Sequence, residues 1–233
     1  GNKIRLVVVD TNVLLHHMDV LEYLRTSDDD DGNVKDEGNK HVAIAKAIVI
    51  PQTALEECRH RSLVMYRRAT DLIRSSSSGE DGSGGKRKIC FIVFADVHHS
   101  DTQIKASENN DAIINDENDA RLRKVAWFYG HSLYNYLRDR SMEQDAEVVF
   151  LSDDVQSRKL ALQEQPSDDD AVDGVYYKTR SMRQHVALLQ KEDPTLHLLD
   201  MVAQFNSAPD STNKIVDKES KEIYYSPHID SSD

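Results

Sequence analysis

The 233 residues are 39% hydrophobic and 30% charged, and 41 acidic against 29 basic side chains give a net charge of −12. The longest apolar runs, such as residues 4–9 and 48–51, fall far short of the ~20 residues of a membrane-spanning helix, and Cys58 and Cys90 make neither a disulfide framework nor a metal-ligand pattern. What remains is a soluble chain of one α/β domain's size with buried free thiols in a reducing compartment, whose acidity argues against phosphate binding.

In chain order, residues 4–9 (IRLVVV) are a nearly continuous apolar run, as in a strand buried on both faces. Residues 11–24 have helical spacing, 47–50 form a second strand, and 51–74 a long helix with Pro51 in its first turn. A third strand spans 89–94. Over 116–138, Leu122, Val125, Ala126, Tyr129, Leu133, Tyr136 and Leu137 recur at three- and four-residue steps, so one helix face is buried. Then come a strand at 148–151, a short helix at 155–163, a weak strand at 175–177 and a closing helix at 179–190. This alternation predicts an α/β fold, a central parallel sheet of about five strands between helical layers.

Two stretches, 27–39 and 75–85, are too polar or too rich in Gly and Ser to bury anything and read as insertions. Residues 1–205 are thus expected to form one domain, and 206–233, which lose periodicity, a linker toward a following domain. The first residue is Gly, and no apolar signal segment follows, so the chain reads as a piece of a longer protein. Residues 26–40 hold −4 of the net charge and 164–173 hold −5; the remainder can be locally basic.

Four acids carry the chemical reading. Asp10 ends the first strand, and Asp153 and Asp154 follow the fourth, at the sheet edge where open parallel sheets bind ligands. Glu57, beside Glu56, lies in the first turns of the helix after strand two. Asp119, three residues after Asp116 and three before Leu122, sits above the apolar stripe of the long helix. Taken singly, Asp10, Asp116 and Asp154 serve equally well as helix caps, and Glu56 and Glu57 as partners of a helix dipole. Together at one edge, converging carboxylates require a hard divalent cation. Two such ions ~4 Å apart activate a water and stabilise the leaving oxygen of a phosphodiester, which is nuclease chemistry.

Other chemistries have less support. His16 and His17, and His98 and His99, lack the i, i+4 spacing of a zinc site and read as surface residues. No Gly-rich phosphate loop or strand-to-helix nucleophile elbow is present. Basic side chains gather at Arg59, Arg61, Arg67 and Arg68 and at Arg121, Arg123 and Lys124, fit either for phosphate contacts or for a solvated helix face.

The segments VVVDTNVLLHHMDVLE, IVIPQTALEECRHRSLVMYRR, NDENDARLRKVAWFYGHSL and VVFLSDD resemble the PIN-domain ribonucleases, and within them the amino-terminal PIN domains of the large catalytic ribonuclease subunit of the eukaryotic RNA exosome. The resemblance spans about residues 6–205. It implies a PIN-like three-layer fold and an endoribonuclease cleaving single-stranded RNA with one or two Mn²⁺ or Mg²⁺ ions. Its four acids fall on Asp10, Glu57, Asp119 and Asp154, as catalytic residues and metal ligands, with Asn12, Asp116, Ser152 and Asp153 supporting them. Arg59, Arg61 and Arg121 are the candidate RNA contacts. Glu117 and Asp153 stand where such domains often carry Arg and Asn, making the surroundings more negative. The resemblance further implies docking on exosome core subunits, and a nuclear location with the cytoplasm as a second one. The alternatives are a docking module with little catalysis, and a receiver-like phosphoacceptor domain using Asp96 and Lys178 near the ends of strands three and five.

Overall fold

The strand segments are rich in Val, Ile and Phe, which suit a pleated, buried surface, and the computed structural model sets five of them side by side in one all-parallel sheet. The structure describes residues 4–26, 47–77, 89–104, 114–139, 146–164, 175–194, 196–202, 215–216 and 223–224. The expected insertion 27–39, and the part of the second beyond residue 77, lie outside these.

In order, the elements are β1 (Ile4–Val9), α1 (Thr11–His16), α2 (Met18–Thr26), β2 (Ala47–Pro51), α3 (Gln52–Arg61), α4 (Leu63–Ser77) and β3 (Cys90–Phe94). They continue with α5 (Ile114–Asp139), β4 (Ala146–Leu151), α6 (Val155–Gln163), β5 (Val175–Arg180) and α7 (Met182–Glu192). Among the described helices none is long and apolar enough to cross a membrane. The chain divides into two units, 1–202 and 203–233. In the second, expected to be linker, β6 (Ile215–Val216) pairs antiparallel with β7 (Ile223–Tyr224).

Strand order in the large sheet is β3-β2-β1-β4-β5. From β1 the chain moves one way to β2 and β3; from β4 it moves the other way to β5. The carboxyl ends of β1 and β4 therefore flank a crevice at a topological switch point. Register is continuous there, Val9 lying opposite Leu151. Val8, Val9, Val49, Ile50, Val148, Val149 and Phe150 are fully buried at the centre, so the strand ends are held rigidly relative to one another.

Helix boundaries depart from expectation where a polar side chain intervenes. The helix expected over 11–24 breaks at His17, whose backbone leaves helical geometry (φ −127°, ψ 25°). His17 is 1% exposed, not a surface residue, and its Nε2 meets Asp153 Oδ2 at 2.5 Å. The helix expected over 51–74 splits at Ser62, in extended geometry (φ −152°, ψ 102°), with Ser62 Oγ receiving the Met65 N–H. Pro51 belongs to β2 rather than to the helix, and Asp96, from the loop after β3, caps α3 by accepting from Thr53 N at 3.0 Å and Thr53 Oγ1 at 2.5 Å.

β5 runs on through Arg180, and α7 starts only after Ser181, whose hydroxyl and the Gln184 amide form a reciprocal capping box. The S-x-x-Q spacing was the signal for that start. Residues 75–77, expected in an insertion, are the last turn of α4. Cys58 is buried as expected, whereas Cys90 is exposed, because it opens the edge strand β3. On α5, Leu122, Val125, Ala126 and Leu137 are buried, but Tyr136, on the same stripe in the last turn of the helix, is 49% exposed.

Candidate active site

Asp10 is the first residue past β1, and its N–H continues the ladder to Leu151 O at 3.1 Å. The next position on the β4 side is Ser152. Asp10 caps α1 through Oδ1, which accepts from Val13 N at 3.0 Å. Asp154 caps α6 in the same manner, its Oδ1 accepting from Gln156 N at 2.7 Å and Ser157 N at 3.0 Å. Capping and site-building are therefore not rival roles here: an N-cap at the end of a strand stands at the sheet edge, and one oxygen suffices for the cap.

The helical acids arrive from the flanks. Asp10, Glu57, Asp119 and Asp154 together line one cleft of about 230 Å³, with Thr11, Asn12, Arg61, Leu122 and Ser157. Four elements thus deliver one carboxylate each to a single polar concavity. Glu57 is clamped through both oxygens: Thr11 Oγ1 donates to Oε2 at 2.5 Å, and Asn118 Nδ2 donates to Oε1 at 2.7 Å. Arg121 Nη1 donates to Asn118 Oδ1 at 3.2 Å and braces the clamp.

The electrostatics follow from this crowding. Burial, reinforced by the charges of Asp153 and Asp119, pushes the Asp10 carboxyl up to about 7, although Ser152 and the Val13 N–H pull it down. Asp119 is also raised, by burial first and then by Asp154 and Glu57, with Arg123 opposing. Asp153 behaves oppositely: burial works against its charge, but His17, the Met182 N–H and Arg158 hold it below the usual carboxylate range. Beneath the site the buried Arg158 donates to Ser152 O and faces Asp153, Asp154 and Asp10.

Several expected supporting residues lie elsewhere. Asp153 is spent on His17 and on Met182 N (2.9 Å), tying β4 to the start of α7. Asp116 is exposed in the first turn of α5 and reaches the site only through its charge on Asp119. Asn12 is on the cleft wall, and Ser152 is buried behind it. Of the arginines, Arg61 lines the cleft and is exposed, Arg59 is exposed away from it, and Arg121 is turned to Asn118. Arg68 is held by Asp19 and Glu22, and Arg123 by Glu164. Asp96 has both oxygens on Thr53 and is fully buried, while Lys178 lies inside β5 rather than at its end; neither is placed as a receiver-like site needs.

Sequence reasoning missed Thr11, Asn118, Ser157 and Arg158. The first two stand beside recognised acids in DTN and END, but nothing in the spacing reveals that both reach Glu57 from other elements.

Among the described residues the acids do not close into a ready-made metal cluster. The donor set fits such an ion all the same. The described cleft wall offers carboxylates with no thiolate or imidazole, the preference of Mg²⁺ or Mn²⁺, and two of the four acids, Asp10 and Asp119, are held above their ordinary range by burial first and by neighbouring carboxylates second.

Comparison with known proteins adds to this geometry. The PIN domain family matches residues 7–167. The chain is 30% identical over 155 residues to Exosome complex exonuclease RRP44 of Mus musculus and 29% identical to that of Homo sapiens, in each case over 66% of this chain and 12% of the relative. It is 27% identical over 160 residues to Exosome complex exonuclease RRP44 homolog A of Arabidopsis thaliana, over 69% of this chain and 13% of that one. The match thus spans about an eighth of the length of these relatives. The structure of the T. brucei RRP44 PIN domain superposes with a TM-score of 0.52 at 19% identity, covering 86% of this chain and 88% of that one, which shows a shared fold.

Proposed function

Because the chain belongs to the PIN domain family, we propose that it is a metal-dependent endoribonuclease that hydrolyses internal phosphodiester bonds of single-stranded RNA. The observation that carries this reading is the meeting of Asp10, Glu57, Asp119 and Asp154 on one cleft at the switch point of the sheet. Those four acids would hold one or two Mn²⁺ or Mg²⁺ ions. When bound, such ions polarise a phosphoryl oxygen and raise the acidity of a water.

The chain's own groups have separate tasks. Thr11 and Asn118 fix the orientation of Glu57, which keeps a flexible side chain from having to be ordered at each turnover. Arg158 offsets part of the negative charge from below. Arg61, exposed on the rim, is suited to a phosphate of the incoming strand, contributing position rather than sequence reading. The product of in-line attack is a 5′-phosphate end.

The similarity to RRP44 proteins supports a place beside exosome core subunits, and we place its role in RNA processing and decay, in the nucleus with the cytoplasm as a second location. Docking and cleavage are compatible on one domain. The test is circular single-stranded RNA with Mn²⁺, which only an endonuclease can linearise. Wild type is expected to open the circle, and Asp10→Asn and Asp119→Asn to leave it intact. Equal persistence of the circle with all three proteins, while the core complex still binds the chain, would leave docking as the function.

A further inference from the structure

A second cavity, of about 260 Å³, opens between α5 and α6 against β5 and is lined by Arg123, Lys124, Trp127, Ala161, Glu164 and Tyr177. Helical periodicity relates it to the carboxylate cleft. Asp119, Arg123 and Trp127 are successive i, i+4 positions on α5, as Ser157 and Ala161 are on α6. The same two helix faces therefore present Asp119 and Ser157 to the cleft and Arg123, Trp127 and Ala161 to the cavity. Eight residues of helix separate Trp127 from Asp119, ~12 Å along the axis.

Trp127 is 39% exposed, and its indole stacks on His131 at 5.9 Å and 16°. Tyr177 supplies a second aromatic wall. The acid at the cavity, Glu164, is neutralised by Arg123, whose Nε and Nη2 donate to it at 2.9 and 2.8 Å. Lys124 Nζ donates to Gln103 O at 2.8 Å, using one of its three donors. An aromatic platform and a cation, with no uncompensated acid among the described lining residues, are the elements by which single-stranded nucleic acid is held without reading its sequence.

We propose that this cavity receives a nucleobase of the RNA, stacked on Trp127, with Lys124 on the adjoining backbone. The proposal rests on the nuclease reading, and at roughly 3.4 Å per stacked nucleotide it sets the base about three to four nucleotides from the phosphate at the carboxylates.

Trp127 is the chain's single tryptophan, so indole emission reports on this cavity alone. The full chain carrying Asp119→Asn, which spares the probe from cleavage, is titrated with a short oligoadenylate. Quenching is expected to saturate in step with the anisotropy of the same oligonucleotide labelled with fluorescein. Trp127→Ala should weaken binding about tenfold and Trp127→Phe, which keeps a ring, far less. An anisotropy change without quenching, unaltered affinity in Trp127→Ala, or no binding at all overturns the proposal. So does emission that changes with protein concentration alone, which would assign this face to a second copy of the chain. Circle cleavage by wild type without quenching removes only the base site; quenching without cleavage removes only the nuclease reading.

Discussion

Asp10 shows how a single carboxylate can be a liability until it acquires a partner. Its carboxyl is lifted to about 7 chiefly by burial, so the folded protein binds that proton more tightly than the unfolded chain does. The stability this contributes is whole below the unfolded value near 4 and is lost as pH rises through about 7. The metal-free domain should melt at lower temperature as pH climbs across that range, and Mn²⁺ should raise its melting point most above pH 7. Asp10→Asn retains a good helix cap and removes the buried charge. At pH 8 without metal it should be more stable than wild type by on the order of 2 kcal/mol, while gaining nothing from Mn²⁺; a variant less stable than wild type would contradict this. Glu57 poses the opposite case, a carboxylate already satisfied by Thr11 and Asn118. Asn118→Ala and Thr11→Val should each lower kcat on circular RNA about 10- to 100-fold and raise the Mn²⁺ concentration for half-maximal rate, as loss of ligand-orienting partners does.

At the scale of elements, the breaks in the helices matter as much as the helices. By leaving helical geometry, His17 turns its ring to Asp153, and Asp153 in turn accepts from the first N–H of α7. One side-chain pair thereby joins the α1–α2 junction, the end of β4 and the start of α7. Asp153 is held below the usual carboxylate range, its partners overcoming the burial that opposes its charge. Its contribution is accordingly present above the unfolded value near 4 and lost as pH falls through the folded one. Asp153→Ala should cost about 1–3 kcal/mol in urea denaturation, the penalty for a buried partner left unsatisfied. Ser181→Ala, which opens the capping box of α7, should cost about 1 kcal/mol.

For the molecule as a whole, the sheet is cross-braced by a buried ionic network. Arg5 of β1 makes a two-pronged contact with Glu192 of α7 at 2.8 and 2.9 Å, and approaches Glu147 of β4, which also receives Arg180 of β5. Glu147 is 1% exposed, so losing its charge takes the carboxylate away from the buried Arg180 and leaves Arg5 with Glu192. Glu147→Gln is expected to destabilise the fold by about 3–5 kcal/mol, measured by urea denaturation. Nearby His185 is fully buried beside Arg180 and Arg5, and burial and these cations push it down to about 3, so it is neutral across the physiological range. The network couples strands on both sides of the switch point, on which the separation of Asp10 from Asp154 depends.

Periodicity and β-branched runs sufficed to read the five parallel strands and the helices between them, since burial on two faces or one leaves its period in the chain. Strand-end position likewise marked Asp10 and Asp154, and the apolar stripe below it marked Asp119. Helix ends were less legible, because His17 and Ser62 break helices through side-chain contacts that no local pattern records, although the capping box at Ser181 was there to be read. Whether a polar residue faces a cleft, a neighbour or solvent depends on strand order and helix rotation, which are set by packing across the whole chain. Only the tertiary structure could show that Asp153, adjacent to Asp154, serves His17 instead of the cleft, that Thr11 and Asn118 converge on Glu57 from two other helices, and that Trp127 lines a cavity beyond Asp119.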